Sequence, residues 1–258
     1  MSNTGNAFAR GKAFIGFVTG GDPDIERTEE FVLAMVEAGA DLVEIGIPFS
    51  DPIAEGPVIQ RANIRALSAG TRLGKIFTMT ERLRRRTAAP LVFLTYLNPV
   101  FRCGYDTFFK RCRDTGVDGV IIPDLPFEEQ PELRAFSAEH GVDLISLIAP
   151  TSRERIREIG RTATGFLYLV SSLGVTGERG EIITDIPSMV AAVKAETPVP
   201  VAVGFGIHTA QQAAAIARDA DGVIVGSAIV RIIEEHRNKA GPHIFEYVKK
   251  MKEAISGC

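Results

Sequence analysis

Residues 42–47 read Leu-Val-Glu-Ile-Gly-Ile, a run of apolar, mostly β-favouring side chains broken by one carboxylate and one glycine. Such a run shows no apolar/polar alternation, which is the pattern of a strand covered on both faces, as in a parallel sheet flanked by helices. Similar runs lie at 14–19 (FIGFVT), 91–96 (LVFLTY), 119–123 (GVIIP), 143–148 (DLISLI), 165–171 (GFLYLVS), 199–205 (VPVAVGF) and 221–225 (DGVIV). Helix-period segments separate them, as at 26–38, where Phe31, Met35 and Ala38 share a face, and at 104–115, 128–140, 152–160, 187–196 and 208–218. The strand starts are 28, 49, 28, 24, 22, 34 and 22 residues apart, against roughly 30 residues for one strand-plus-helix unit. Eight such units predict an α/β protein with the (β/α)8 architecture of a TIM barrel. The 49-residue interval leaves room for an extra helix after the second strand, with 57–69 and 74–86 as the two helical segments. No linker or compositional shift divides the chain, so residues 1–258 are expected to form a single domain. An open, doubly wound sheet is the competing fold, and the count of eight favours closure.

The composition agrees. The 258 residues include 45% hydrophobic and 24% charged side chains, and 29 Lys+Arg against 32 Asp+Glu give a net charge of −3. That is too apolar for a disordered chain and lacks the basic excess of a nucleic-acid binder. The start, MSNTGNAFARGKAF, has no apolar signal core. The longest stretch free of Asp, Glu, Lys and Arg, Thr197 to Ala217, carries prolines, glycines, His208 and two glutamines, poor material for a membrane span. Cys103, Cys112 and Cys258 make neither a CxxC pair nor an even framework, which predicts reduced thiols in a cytoplasmic protein.

In a barrel of this kind the site forms at the C-terminal ends of the strands. Glu44 lies near one such end, inside an apolar strand, where an unsatisfied carboxylate costs several kcal/mol. Either backbone or hydroxyl donors satisfy it, or it is a functional acid whose burial lifts its pKa toward neutrality and suits it to proton transfer. Glu55, eleven residues on, sits in a Pro-rich loop, as a solvated charge or as a second carboxylate in the same pocket. Gly204-Phe205-Gly206 and Gly226-Ser227 follow the seventh and eighth strands. They read as tight turns or, by position and pairing, as a phosphate cradle in which Ser227 adds a hydroxyl. GFGIHT lacks the third glycine of a dinucleotide fingerprint.

The eight lysines lie outside the strand cores, so no Schiff-base nucleophile stands out. The four histidines show no metal-ligand spacing, and His208 reads as the opening residue of a helix. Arg82, Arg84, Arg85 and Arg86 are expected to form a solvated helix end. The segment Pro99-Val100-Phe101 is either a packed loop core or a contact surface.

These residues also carry a resemblance. Glu44-Ile45-Gly46-Ile47-Pro48-Phe49-Ser50-Asp51-Pro52, continuing to Glu55-Gly56-Pro57-Val58-Ile59-Gln60, resembles the signature of the tryptophan synthase alpha subunit family. FVTGGDP, LTYLNPVF, PDLP, LYLVSSLGVTGERG, VGFGI and IVGSAIV match in order along nearly the whole chain. The resemblance implies a lyase that cleaves indole-3-glycerol phosphate to indole and glyceraldehyde 3-phosphate by a retro-aldol reaction, with no cofactor or metal. It places Glu44 at the catalytic acid/base and Glu55 at a second carboxylate that is usually Asp. Phe17, Ile121 and Tyr168 match pocket positions, Thr176 the loop threonine of closure, and Gly177, Phe205, Gly206, Gly226 and Ser227 the substrate and phosphate positions. It further implies an alpha2beta2 complex with a pyridoxal-phosphate beta subunit that receives the indole. Asp51, Pro52, Asn98 to Phe101 and Pro126 match contact segments. The competing functions are a barrel that mainly docks on and activates such a partner, and a different phosphosugar enzyme such as an isomerase.

Overall fold

The computed structural model describes residues 3–149, 153–170, 185–204 and 206–258. Eight parallel strands, β1 (Ala13–Thr19), β2 (Leu42–Gly46), β3 (Leu91–Leu94), β4 (Gly119–Ile121), β5 (Asp143–Ile148), β6 (Leu167–Val170), β7 (Val201–Gly204) and β8 (Gly222–Val225), pair in sequence order and close on themselves. Ile15 of β1 is opposite Leu42 of β2 on one side and Ile224 of β8 on the other, which completes the ring. Two apolar layers result. Inside the barrel Ile15, Leu42, Val92, Ile121, Ile145, Phe166, Ala202 and Ile224 pack together. Outside it, the intervening strand positions and the helix faces form the larger core, with Phe14, Phe31, Phe77, Phe93, Phe108 and Phe109 among its members. Both faces of each strand are thus buried, which is why the sequence runs show no alternation.

The helices are α1 (Asn3–Asn6), α2 (Ile25–Glu37), α3 (Pro57–Ser68), α4 (Leu73–Arg84), α5 (Leu97–Cys103), α6 (Tyr105–Thr115), α7 (Gln130–His140), α8 (Arg153–Thr162), α9 (Ile186–Lys194), α10 (Ala210–Ala217), α11 (Ser227–His236) and α12 (Ala240–Ser256). Two helices do follow β2, as the long interval predicts. Of these, α3 crosses to the mouth, where Val58, Ile59 and Ala62 pack with Phe17 of β1, Leu94 of β3 and Val230 of α11. At the opposite end Thr4 of α1 donates a hydrogen bond to Asp143 at the start of β5.

Several expectations need correction. The third strand ends at Leu94, and LNPVFRC forms α5. Pro99 is tolerated there because first-turn N–H groups have no intrahelical acceptor. In α5 Val100 is buried and Phe101 exposed, so the segment is neither a loop nor wholly packed. His208 does not open a helix. Thr209 caps α10, its hydroxyl accepting from Gln212 N while the Gln212 side chain accepts from Thr209 N, and His208 lies before them. Nor are the four arginines a plain solvated end. Arg84 ties the chain around β3 together, donating to the carbonyls of Gly116, Thr87 and Ala89 and pairing with Asp118, while Arg82 and Arg86 pair with Glu29 of α2.

Candidate active site

Glu44 is the fourth-last residue of an apolar segment, and the pleat turns it into the barrel between Phe17 of β1 and Val92 of β3. It is 1% exposed, and its Oε1 has no hydrogen-bond partner among the described residues. Burial alone pushes its pKa up to about 8, because nothing nearby compensates the charged form. The backbone or hydroxyl donors that would make it a purely structural residue are missing at Oε1 among the described residues. Tyr168 of β6, half-buried, packs against the apolar cluster inside the barrel, and its hydroxyl is driven upward by desolvation first and by the charge of Glu44 second. The two side chains therefore share one low-dielectric space.

Glu55 is not a solvated loop charge. It is 6% exposed, two residues before α3, and is held from three sides. Asn63 of α3 donates from Nδ2 to its Oε2 at 2.6 Å, Gln60 of α3 donates to its backbone carbonyl at 2.8 Å, and the preceding Ala54 N–H donates to the Tyr96 hydroxyl at 3.1 Å. Burial raises Glu55 to about 7, with the Asn63 bond acting against the rise. Tyr96, stacked on Phe49 with ring centroids 5.2 Å apart, is pushed up to about 12 by burial and then by the charge of Glu55. Neither Asn63 nor Tyr96 stands out in the sequence. An Asn eight residues after a Glu and on the inner face of a helix is a signal only once the helix is known to lie over the mouth.

The aromatic positions are supported by the glycines beneath them. A Cβ on Gly46 would lie 2.6 Å from the Phe17 ring, and one on Gly204 would lie 2.4 Å from the Tyr168 hydroxyl oxygen. Gly204 therefore makes room for a pocket side chain, whereas part of its sequence reading was a phosphate turn. Gly226, where a Cβ would meet the Phe17 ring at an ordinary 3.4 Å, is the N-cap of the ten-residue α11, and Ser227 is the first residue of that helix. Free N–H groups at this helix start are suited to an anion. Gly206 adopts φ +61° before α10. Ile121 lines the barrel interior, fully buried. Thr176, Gly177 and Phe205 lie outside the described residues.

A network of charges holds α3 in place. Arg65 grips the buried Asp22, in the turn after β1, with two bonds of 2.8 and 2.7 Å, and also reaches Glu234 of α11 at 3.0 Å. Arg61 makes a second bidentate pair with Glu234, which is held down at about 2. Among the described residues, no group of three or more His, Cys, Asp or Glu side chains could hold a metal ion, and no helix is long and apolar enough to cross a membrane.

Comparison with known proteins agrees with this geometry. The family model of the tryptophan synthase alpha chain matches residues 6–256. A tryptophan synthase alpha chain of Lacticaseibacillus casei is 48% identical over 255 residues, spanning 99% of this chain and 96% of that protein. The structure of tryptophan synthase subunit alpha from Legionella pneumophila superposes with a TM-score of 0.90 at 35% identity over 100% of both chains. A chain of the tryptophan synthase a2b2 complex from Pyrococcus furiosus gives 0.85 at 35% identity, covering 95% of this chain and 99% of that one.

Proposed function

The chain belongs to the tryptophan synthase alpha chain family, whose reaction is the cleavage of indole-3-glycerol phosphate in tryptophan biosynthesis, and from that premise we propose which of its residues carry the chemistry. Glu44 is the acid and base. Indole is a poor carbanion leaving group, so C3 takes the Glu44 proton before the carbon–carbon bond breaks. The positive charge this leaves on the ring is met by the carboxylate of Glu55 at the indole nitrogen. Glu44, now ionised, accepts the proton of the side-chain hydroxyl. The O–H electron pair becomes the carbonyl of glyceraldehyde 3-phosphate, and the pair of the breaking bond returns to the ring as indole. The proton inventory closes with Glu44 restored.

The observation that carries this reading is the buried Oε1 of Glu44, without a hydrogen-bond partner among the described residues. A carboxyl held near 8 keeps its proton at neutral pH and can give it up. Phe17, Ile121 and Tyr168 supply the apolar slot for the ring. The α11 start at Gly226 and Ser227, together with Gly206 and Gly177, receives the phosphate, Phe205 is a further substrate contact, and Thr176 belongs to loop closure over the site.

The partner is a beta subunit in an alpha2beta2 assembly. The Pyrococcus furiosus relative comes from an a2b2 complex. On this chain Phe101 on α5, within the segments that resemble the family's contacts, and Ile53, next in sequence to Asp51 and Pro52, are exposed at 68% and 70%. Large apolar side chains left in water at a barrel mouth suit a docking face. We read residues 1–258 as one domain, working in the cytoplasm without a cofactor of its own.

The test is indole release from indole-3-glycerol phosphate, with and without added beta subunit. Glu44→Gln is expected to leave KM within about threefold while kcat falls by roughly a thousandfold. Ordinary turnover in that variant removes Glu44 from the mechanism, and activation of the beta subunit without any indole release favours the docking-only reading.

A further inference from the structure

We propose that Asn63 is a positioning residue for the cleavage: from α3 it fixes the Glu55 carboxylate in one orientation and donates to its charged form. The proposal rests on the reading of Glu55 as the group that meets the charge on the indole ring.

Glu55 carries one methylene more than the aspartate usual at its place in the family signature, and with it one more rotatable bond to restrain. The restraint is present. Asn63 is 3% exposed and its Nδ2 donates to Oε2 at 2.6 Å, the short distance of a bond to a charged acceptor. The helix that carries Asn63 also carries Gln60, which holds the backbone carbonyl of the same glutamate. Side chain and main chain of Glu55 are therefore both referenced to α3, and α3 is in turn fastened by Arg65 to Asp22 and Glu234.

An amide N–H only donates, and donation favours the ionised carboxylate over the neutral acid. Glu44, the more deeply buried of the two, has no donor at Oε1 among the described residues. The Asn63 amide therefore acts in the same sense as the shallower burial of Glu55, both favouring its charged form relative to that of Glu44. The bond favours the charged form of Glu55, the form that meets the positive charge on the ring, while Glu44 holds the proton that it must give. Tyr96 also feels Glu55 and is neutral through the working range, because burial and Glu55 push it to about 12. Its hydroxyl accepts from Ala54 N and so steadies the loop without adding charge.

The experiment uses the full chain with Asn63→Leu, which keeps volume and removes the donor, and Asn63→Ala in parallel in case the leucine disturbs α3. Glutamate labelled at the side-chain carboxyl is titrated by NMR, with Glu55→Gln identifying the Glu55 signal. Loss of the bond is expected to raise the Glu55 midpoint by about one pH unit. At pH 7 that shift lowers the ionised fraction, and kcat for indole release, about fivefold. The deficit should close above pH 9 while KM stays within twofold. An unmoved midpoint, or a rate loss of the same size at every pH, overturns the proposal. Full turnover in Glu55→Gln overturns the reading of Glu55 and with it the purpose assigned to Asn63. The NMR midpoint needs no substrate and separates that failure from failure of the hydrogen bond.

Discussion

Two buried acids, Asp22 in the turn after β1 and Glu44 within β2, are both 1% exposed, and the fold treats them in opposite ways. Asp22 receives two hydrogen bonds from the Arg65 guanidinium, which offset part of the upward push of burial. Glu44 receives nothing at Oε1 from the described residues, and burial acts unopposed. Most buried polar groups in folded proteins are satisfied. An acid that is satisfied belongs to the scaffold, here the fastening of α3 to the β1 turn and to α11. One left unsatisfied costs stability and needs another reason to be where it is. The lesson is that equal burial says little until the partners are counted.

The contrast can be broken by making the same change, carboxyl to amide, at both places. At Glu44 the largest effect is on turnover, the thousandfold loss of kcat already described, with the fold intact. At position 22 the effect should move to stability. Asp22→Asn leaves the Arg65 guanidinium without its full charge partner, at an expected loss of about 2 kcal/mol, seen in urea melts, while kcat/KM for indole release falls by less than tenfold. If Asp22→Asn abolished turnover without loss of stability, the division between scaffold acid and reacting acid would not hold.

A smaller effect sharpens the comparison through pH. Native Glu44 keeps its proton up to about 8, whereas an ordinary glutamate releases it near 4.5. Between these values the unfolded chain binds fewer protons than the folded one, so this residue makes stability fall as pH rises. Glu44→Gln removes that contribution, and its advantage over the wild type in denaturant melts should grow by up to about 1 kcal/mol per pH unit across the window. Parallel stability curves for the two proteins would mean that Glu44 ionises freely in the folded state.

How much of this was legible in the sequence depends on whether the cause was local. The eight strands were, because burial on both faces writes itself as an uninterrupted apolar run, as in 42–47. Glu44 was legible for the same reason: a charge within such a run is conspicuous. Glu55 was only half legible. Its loop gives no sign of burial, which comes from Asn63, eight residues on, and from the loop's anchoring to Tyr96 across two elements. Gly204 shows the reverse error, since a glycine announces space without saying whether a ligand or the Tyr168 ring fills it. The arginines at 82–86 looked like a solvated cluster because nothing in sequence marks the carbonyls of Thr87, Ala89 and Gly116 that Arg84 would reach. The family signature supplied the substrate, which no spacing or periodicity could.

The most direct test is a crystal structure of the Glu44→Gln variant holding uncleaved indole-3-glycerol phosphate. The amide of residue 44 should lie roughly 3–3.5 Å from C3 of the indole ring, with the Glu55 carboxylate near the ring nitrogen. An amide rotated out of the barrel, with C3 beyond its reach, would contradict the assignment of Glu44 as proton donor.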